Sequence, residues 1–291
     1  MIAALCEKLH FPAEAAAYLT NAWKELQQIP QGETLLQAAE DKLYAADAPG
    51  YAAELKKLYE KTELHPYTVD MLFYLRALKP LRAKYAEKGL PEELYWAAAE
   101  DLRYKLMECR ATYGIWGTFV HWFDRFYLLT RFALGRLQFE TISFPGEDIP
   151  GLLSKGDPVL NCHIPSGSPL KKEAVLDSLR QAYAFFPELR RNGVLPVTCG
   201  SWLLYEPFRE LYPEGSNLRA FYDLFRVGIS YPRGNETDFN RVFGCNWTPE
   251  LDLDTVPQET ALQKNIIAYL KSGGSFGVGQ GMLLFDGEKV I

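Results

Sequence analysis

Three side chains that can move protons stand at the ends of two predicted strands. His163 lies in the segment DPVLNCHIP, and Tyr205 and Glu206 follow the segment GVLPVTCGSWLL. Histidine titrates near neutral pH, so it can accept the proton of an ammonium group, and a phenol or a carboxyl group can supply the matching acid or base. The residue types and their positions therefore predict His163, Tyr205 and Glu206 as catalytic residues.

Each of these residues also has a purely structural explanation. A single histidine on a strand is commonly part of a hydrogen-bonded framework. Glu206 precedes Pro207, and a carboxylate at the start of a helix is favoured by the helix dipole alone. A pair of Cys199 or Ser201 with His163 would instead indicate a hydrolase with a covalent intermediate. The sequence shows neither a nucleophile elbow nor a third orienting residue, so we rank the hydrolase last.

A loop with the sequence PSGSPLKK separates the first of these strands from a predicted helix. Backbone N–H groups at the start of a helix have no intrahelical partner and carry partial positive charge, so they attract anions. Gly167 allows a phosphate to approach closely, and Lys171 adds a positive charge. Ser166, Gly167, Ser168 and Lys171 are therefore candidates for phosphate binding. In the alternative explanation Ser168 only caps the helix and Pro169 occupies its first position.

The pattern of apolar residues changes near residue 135. Before this point apolar residues recur at the three- and four-residue steps of helices, and an aromatic helix is expected from about Phe119 to Phe132. Beyond it, predicted strands such as RLQFETISF and RVGISYP alternate with amphipathic helices such as KKEAVLDSLRQAYAFF. The sequence predicts an α+β protein with an all-helical N-terminal domain, residues 1–134, and a mixed α/β sheet domain, residues 135–291.

A family resemblance rests on three stretches of the chain, LNCHIPSGSPLKKEAVLDS, CGSWLLYEPFRELYPEGSNLRAFYDLF and PQETALQKNIIAYLKSGG. In these stretches the chain resembles the bacterial acyltransferase-domain proteins, which join an N-acyltransferase N-terminal helical domain to a GNAT-like C-terminal domain. The resemblance extends over almost the whole chain. It implies an enzyme that transfers an acyl group from acyl-CoA or acetyl-CoA directly to a small-molecule or peptide amine acceptor.

The resemblance also implies where the acyl donor binds. In GNAT folds the pantetheine arm lies between two splayed parallel strands, which correspond here to residues 157–164 and 193–200, and residues 165–171 would hold the pyrophosphate. The implied donor-binding residues are Ile164, Ser166, Gly167, Ser168, Lys171 and Cys199. The usual phosphate signature of this loop, an Arg or Gln followed by a spaced Gly-x-Gly/Ala, is absent. A non-catalytic small-molecule-binding or regulatory protein on a degenerate GNAT-like fold is therefore the alternative function.

The amino-acid composition limits the classes of binding partner and the cellular compartment that we expect. The formal net charge of −6 disfavours nucleic acids and anionic membrane surfaces as partners, because binding to both depends on positive charge. The five cysteines form no CxxC pair and indicate reduced thiols, and no HExxH-type spacing predicts a metal site. The N-terminus lacks a signal-peptide pattern, and no run of about 18 apolar residues occurs. We expect a cytoplasmic protein.

Overall fold

The computed structural model describes residues 1–120 and 122–291. They form two compact units, Met1–Phe132 and Ala133–Ile291. The helices of the first unit are α1 (Ile2–Lys8), α2 (Ala13–Gln28), α3 (Gly32–Tyr44), α4 (Ala48–Tyr59), α5 (Pro66–Glu87), α6 (Glu92–Tyr113) and α7 (Asp124–Tyr127). Within the described ranges, no helix combines the length and apolarity needed to cross a membrane.

The elements that follow are β1 (Arg131–Leu134), β2 (Leu137–Ser143), β3 (Pro158–His163), α8 (Lys172–Phe185), β4 (Leu195–Ser201), α9 (Glu206–Arg209), α10 (Asn217–Tyr222), β5 (Arg226–Pro232), α11 (Phe239–Phe243), α12 (Ala261–Lys271) and β6 (Gly277–Phe285). They form a six-stranded sheet with the order β1-β2-β3-β4-β6-β5. Strands β3 and β4 are parallel, whereas the β2–β3, β4–β6 and β5–β6 pairs are antiparallel. A helical unit followed by a mixed sheet confirms the predicted α+β fold class.

Apolar spacing explains how the helices of the first unit pack. The buried residues of α2 recur at three- and four-residue steps and form one apolar stripe: Ala15, Leu19, Ala22 and Leu26. Helix α5 is buried on nearly all sides, so it lies at the centre of this unit. It continues through Pro80, which has no N–H to donate to the carbonyl group of Arg76.

A buried carboxyl group lies inside the first unit. Asp70 of α5 is only 2% exposed and accepts a hydrogen bond from the hydroxyl group of Tyr59. Burial raises the pKa of Asp70 to about 7, and the hydrogen bond from Tyr59 acts in the opposite direction. The carboxyl group of Asp70 is therefore protonated more readily than that of an exposed aspartate.

The segment after α6 differs from the sequence-based expectation. The sequence predicted an aromatic helix from about Phe119 to Phe132, but α7 is only four residues long and Arg131–Leu134 form strand β1. Leu129 adopts a left-handed backbone conformation with φ of 56°, which a helix cannot continue through. Aromatic residues suit a strand as well as a buried helix, so the composition did not separate the two.

The two faces of the sheet differ in what covers them. On one face a Cβ atom added to Gly279 would lie 1.7 Å from the carbonyl oxygen of Leu204. On the same face Tyr183 of α8 contacts Phe285 edge-on, with ring centroids 6.1 Å apart. We call this the helix face. Alternate residues point to the other side of the sheet, which we call the polar face and which carries Glu140, Asn161, His163 and Thr198.

Candidate active site

The parallel strands β3 and β4 separate towards their carboxyl ends. Ladder pairs join Leu160 to Val197 and Asn161 to Thr198, and among the described residues no later pair joins the two strands. Strand β4 nevertheless remains paired with β6 as far as its last residue, Ser201. The facing backbone edges beyond Asn161 and Thr198 are therefore not paired with each other. Such a gap offers hydrogen-bonding backbone groups to an extended ligand.

A network of polar side chains crosses the sheet where this gap begins. The hydroxyl oxygen of Thr198 lies 3.2 Å from Asn161 Oδ1 and 3.2 Å from the carbonyl oxygen of Leu160, and its single hydrogen is shared between these two acceptors. Asn161 Nδ2 lies 3.1 Å from Nε2 of His163, and this Nε2 lies 2.9 Å from Oε1 of Glu140. The side chains meet because the strand register pairs Glu140 with Asn161 and Asn161 with Thr198. The network therefore connects β2, β3 and β4.

The carboxylate of Glu140 sets the proton arrangement of His163. An ionised carboxylate only accepts hydrogen bonds, so the Nε2 atom 2.9 Å away carries the hydrogen. The Nδ1 atom of the neutral ring then keeps its lone pair, and the Asn161 Nδ2 group, which is also a donor, lies beside Nε2 without donating to it. The His163 side chain is 31% exposed and that of Glu140 is 12% exposed. His163 is thus oriented from within the sheet and accessible to a proton donor.

An arginine from the turn between β1 and β2 holds the loop that follows β3. Arg136 Nε donates to the carbonyl oxygen of Ser168 at 2.6 Å, and its Nη1 donates to that of Pro165 at 2.8 Å. The backbone N–H of Arg136 donates to Ser178 Oγ of α8 at 2.7 Å. Arg136 therefore ties the loop to the helix that follows it.

The predicted phosphate-binding residues share this loop and are exposed to solvent: Ser166, Gly167, Ser168 and Lys171. Ile164, at the start of the loop, is half-buried. Helix α8 begins only at Lys172 and has no side-chain cap, so Ser168 does not cap it. The first N–H groups of α8 consequently lack a side-chain acceptor, as an anion-binding helix terminus requires. Gly167 has φ of 123°, a conformation that favours glycine.

A cavity of about 410 Å³ opens on the polar face of the sheet. Asn161 and Thr198 line it, so it begins where β3 and β4 separate. Its apolar wall comes from the segment 142–149, in which Phe144 packs in a cluster with Val159. A mostly apolar cavity of this size with a few polar groups is typical of a small-molecule site. The cavity therefore adjoins both the gap and the network of His163.

The candidate nucleophiles lie on the other side of the sheet. Cys162 and Cys199 point to the helix face, where the neighbouring thiol of Cys199 and burial raise the pKa of Cys162. Ser201 shares this face, and its hydroxyl oxygen accepts a hydrogen bond from the N–H of Leu203 at 3.1 Å. Neither Cys199 nor Ser201 can thus pair with His163. Cys199, a predicted donor-binding residue, borders the cavity although its thiol points away.

The structure does not bring Tyr205 and Glu206 to His163. Tyr205 is buried against β6, where a Cβ atom on Gly277 would lie 2.4 Å from its ring, and burial raises the pKa of Tyr205 to about 12. Glu206 is exposed, and its backbone N–H donates to Ser230 Oγ at 2.9 Å. Gly277 and Ser230 belong to the helix face, so both predicted residues lie across the sheet from His163.

Two residues of the site were not predicted from the sequence, namely Glu140 and Arg136. The only signal for Glu140 was a polar alternation within β2, where Gln138 and Glu140 alternate with Leu137 and Phe139. Arg136 gave no signal, because its role depends on the fold bringing the loop to it. In the part of the chain that the structure describes, no cluster of His, Cys, Asp and Glu side chains is suited to hold a metal ion.

Both parts of the chain match known domain families. Residues 131–283 match the GNAT-like C-terminal domain, and residues 1–128 match the N-acyltransferase N-terminal domain. No curated protein matches the chain.

Solved structures share the fold over 97% of the chain. An acyltransferase in complex with decanoyl-CoA and teicoplanin is 23% identical with a TM-score of 0.74, and the match covers 97% of this chain and 86% of the other. An acyltransferase in complex with decanoyl-CoA is 24% identical with a TM-score of 0.73 and the same coverage of 97% and 86%. A mutant acyltransferase in complex with octanoyl-CoA is 24% identical with a TM-score of 0.63, covering 97% and 99%. At this level of identity the likeness shows a common fold.

Proposed function

The chain belongs to the family that joins an N-acyltransferase N-terminal domain to a GNAT-like C-terminal domain, and from this membership we propose that it transfers an acyl group from acyl-CoA to an amine. The observation that carries the proposal is the gap between β3 and β4, at whose edge the His163 network lies. The similar acyltransferases with decanoyl-CoA and octanoyl-CoA support the choice of donor.

The donor is expected to lie along the gap. Its pantetheine arm carries amide groups that can bond to the unpaired backbone edges beyond Asn161 and Thr198. Its pyrophosphate would bind the exposed loop and the uncapped start of α8, with Lys171 and Lys172 adding positive charge. The Arg136 contacts hold two carbonyl oxygens of this loop, which keeps them from facing the anion.

In the reaction we assign the role of general base to His163. Its Nδ1 atom accepts the proton of the ammonium group, and the freed amine nitrogen attacks the thioester carbonyl carbon. The C–N bond forms, the C–S bond breaks, and the leaving CoA thiolate takes up the second proton, which the nitrogen loses as it becomes an amide. Glu140 is a positioning residue that stabilises the imidazolium as it forms. Because Cys199 and Ser201 lie across the sheet, the acyl group passes directly from donor to acceptor.

Turnover with a panel of acyl-CoA donors and amine acceptors tests this function. We expect release of free CoA thiol that depends on the amine, together with an acylated amine detected by mass spectrometry. Acyl-CoA binding without turnover across the panel would favour the alternative of a non-catalytic binding protein. Neither binding nor turnover with any acyl-CoA would refute an acyl-CoA-dependent function.

A further inference from the structure

An arginine and a glutamate line the cavity on the polar face, and the glutamate does not neutralise the arginine. Arg226, at the start of β5, lines the cavity and forms no ion pair with a described residue. Glu147 is the acidic residue of the lining, but its side chain is 94% exposed and lies 3.7 Å from Nζ of Lys155. A guanidinium group in this situation offers a planar fork that matches a carboxylate.

The strand register sets the distance between Arg226 and the His163 network. Arg226 pairs with Met282, Met282 with Thr198, and Thr198 with Asn161, and all four residues line the cavity. With strands about 4.8 Å apart, three steps across the sheet separate Arg226 from Asn161 by about 14 Å. His163 lies two residues beyond Asn161, about 7 Å further along β3. Arg226 and Asn161 therefore lie on opposite sides of the cavity, and His163 lies just beyond its Asn161 side.

The strands leave room for a ligand along this row. The pairing of β5 with β6 shifts register between Val227 and Ile229, which places a bulge at Gly228. A Cβ atom on Gly228 would meet nothing within 4 Å, and one on Gly200 would meet only Gln280, at 3.9 Å. Both glycines line the cavity, so no side chain at these positions blocks an elongated ligand.

We propose, on the basis of the acyltransferase function above, that the amine acceptor is an elongated molecule that carries a carboxylate, such as a short peptide, and that Arg226 binds this carboxylate. An α-amino acid bears both groups on one carbon and cannot reach Arg226 and His163 together. An extended peptide gains about 3.5 Å per residue, so a chain of roughly two to four residues bridges the side chains. Its N-terminal nitrogen then forms the new C–N bond.

The test compares trialanine, trialanine amide and alanine as acceptors with acetyl-CoA and octanoyl-CoA as donors. We expect kcat/KM for trialanine to exceed that for its amide and for alanine by about tenfold or more, since a charge-assisted pair is removed. The Arg226→Met variant should abolish the preference over the amide and leave the KM of the acyl-CoA unchanged. Arg180→Met, which removes an exposed cation of α8, is the matched control.

Binding of N-acetyl-trialanine, which cannot react, is measured by calorimetry and decides the inference independently of turnover. We expect Arg226→Met to weaken this binding about tenfold relative to Arg180→Met. Equal binding by the two variants, equal use of trialanine and its amide, or a raised KM for the acyl-CoA in Arg226→Met would overturn the inference. Absence of transfer to every acceptor would count against the proposed function alone, because the calorimetric result stands without it.

Discussion

The proton-accepting atom of His163 is selected by a carboxylate on the neighbouring strand. In the proposed reaction Glu140 accepts the Nε2 hydrogen and leaves Nδ1 to act as base. The histidine was predictable because its strand alternates polar and apolar residues. Its partner was not, because β2 and β3 meet only through an antiparallel register between residues that lie 23 positions apart in the chain. Tyr205 and Glu206 looked suitable in the sequence, but strand alternation and the following turn put them on the helix face.

Removal of the base and removal of its orienting partner should have different effects on turnover. We expect His163→Ala to lower kcat by about 10²–10⁴-fold, the usual contribution of a general base. Glu140→Gln should lower kcat by about ten- to a hundredfold with an unchanged KM for acyl-CoA, since the ring loses its orientation. Steady-state kinetics measures both, and Glu140→Asp should restore part of the rate. A change in KM alone would assign Glu140 a structural role.

Asp70 should make the stability of the first unit depend on pH. Its folded pKa of about 7 lies above the unfolded value, so the folded chain binds more protons in this window. The free energy of unfolding therefore falls as pH rises from about 4 to about 7, by up to about 4 kcal/mol. The isosteric Asp70→Asn variant cannot titrate and should be the more stable protein at pH 8 but not at pH 4. Urea unfolding of both proteins at the two pH values measures this, and parallel pH profiles would contradict it.

At the scale of elements, the helices and strands around the site were largely predictable from periodicity. The segments that contain β3, α8, β4 and β5 showed clear strand or helix patterns in the sequence. The separation of β3 from β4 was implied only by the family resemblance, because a ladder that ends after Asn161 and Thr198 leaves no mark in the sequence. The loop before α8 was found through its composition, whereas Arg136, which holds it, was not.

Loss of the contacts by which Arg136 holds the loop after β3 should weaken donor binding without slowing the acyl-transfer step. Arg136→Met removes the two contacts with the carbonyl groups of Pro165 and Ser168. We expect the KM for acyl-CoA to rise about tenfold with little change in kcat, because the loss affects donor binding and leaves His163 in place. Arg180→Met is the control. An equal effect of the two variants would show that only the charge matters.

Closure of the gap between the strands should stop turnover. Cys162 and Cys199 follow the last paired residues of β3 and β4, and their thiols are neighbours. A disulfide between these neighbouring thiols would tie the two strands together beyond their last ladder pair. Diamide, as a two-electron oxidant, should convert the two thiols to this disulfide and abolish activity, and dithiothreitol should restore it. The Cys199→Ser variant should keep its activity under diamide, and its inactivation would point to another target.

At the scale of the whole molecule, the two-part architecture is shared with the similar acyltransferases over 97% of the chain. The sequence predicted this architecture because its apolar period changes near residue 135. The sequence did not predict the cavity on the polar face, because the residues that line it come from five different strands, β2, β3, β4, β5 and β6. Only the register brings residues such as Arg226 and Asn161 into one row.

Donor binding should stabilise the folded protein as a whole. A ligand that binds only the native state adds about 2.7 kcal/mol at a hundredfold excess over its Kd. We expect octanoyl-CoA to raise the Tm of the wild-type protein in a thermal unfolding scan and to raise it less in Arg136→Met. Octanoate alone, without the nucleotide, should have little effect. An equal shift with octanoate would place the binding energy in the acyl chain.

Because the thiols and Ser201 lie on the helix face, their position determines whether the two substrates bind together or one after the other. Among the described residues that line the cavity, no thiol and no serine hydroxyl faces it to store an acyl group while one substrate leaves and the next arrives. Both substrates must therefore be present together in a ternary complex, and double-reciprocal plots should intersect instead of running parallel. Without an acceptor the protein should show neither a burst of CoA release nor exchange of labelled CoA into the thioester.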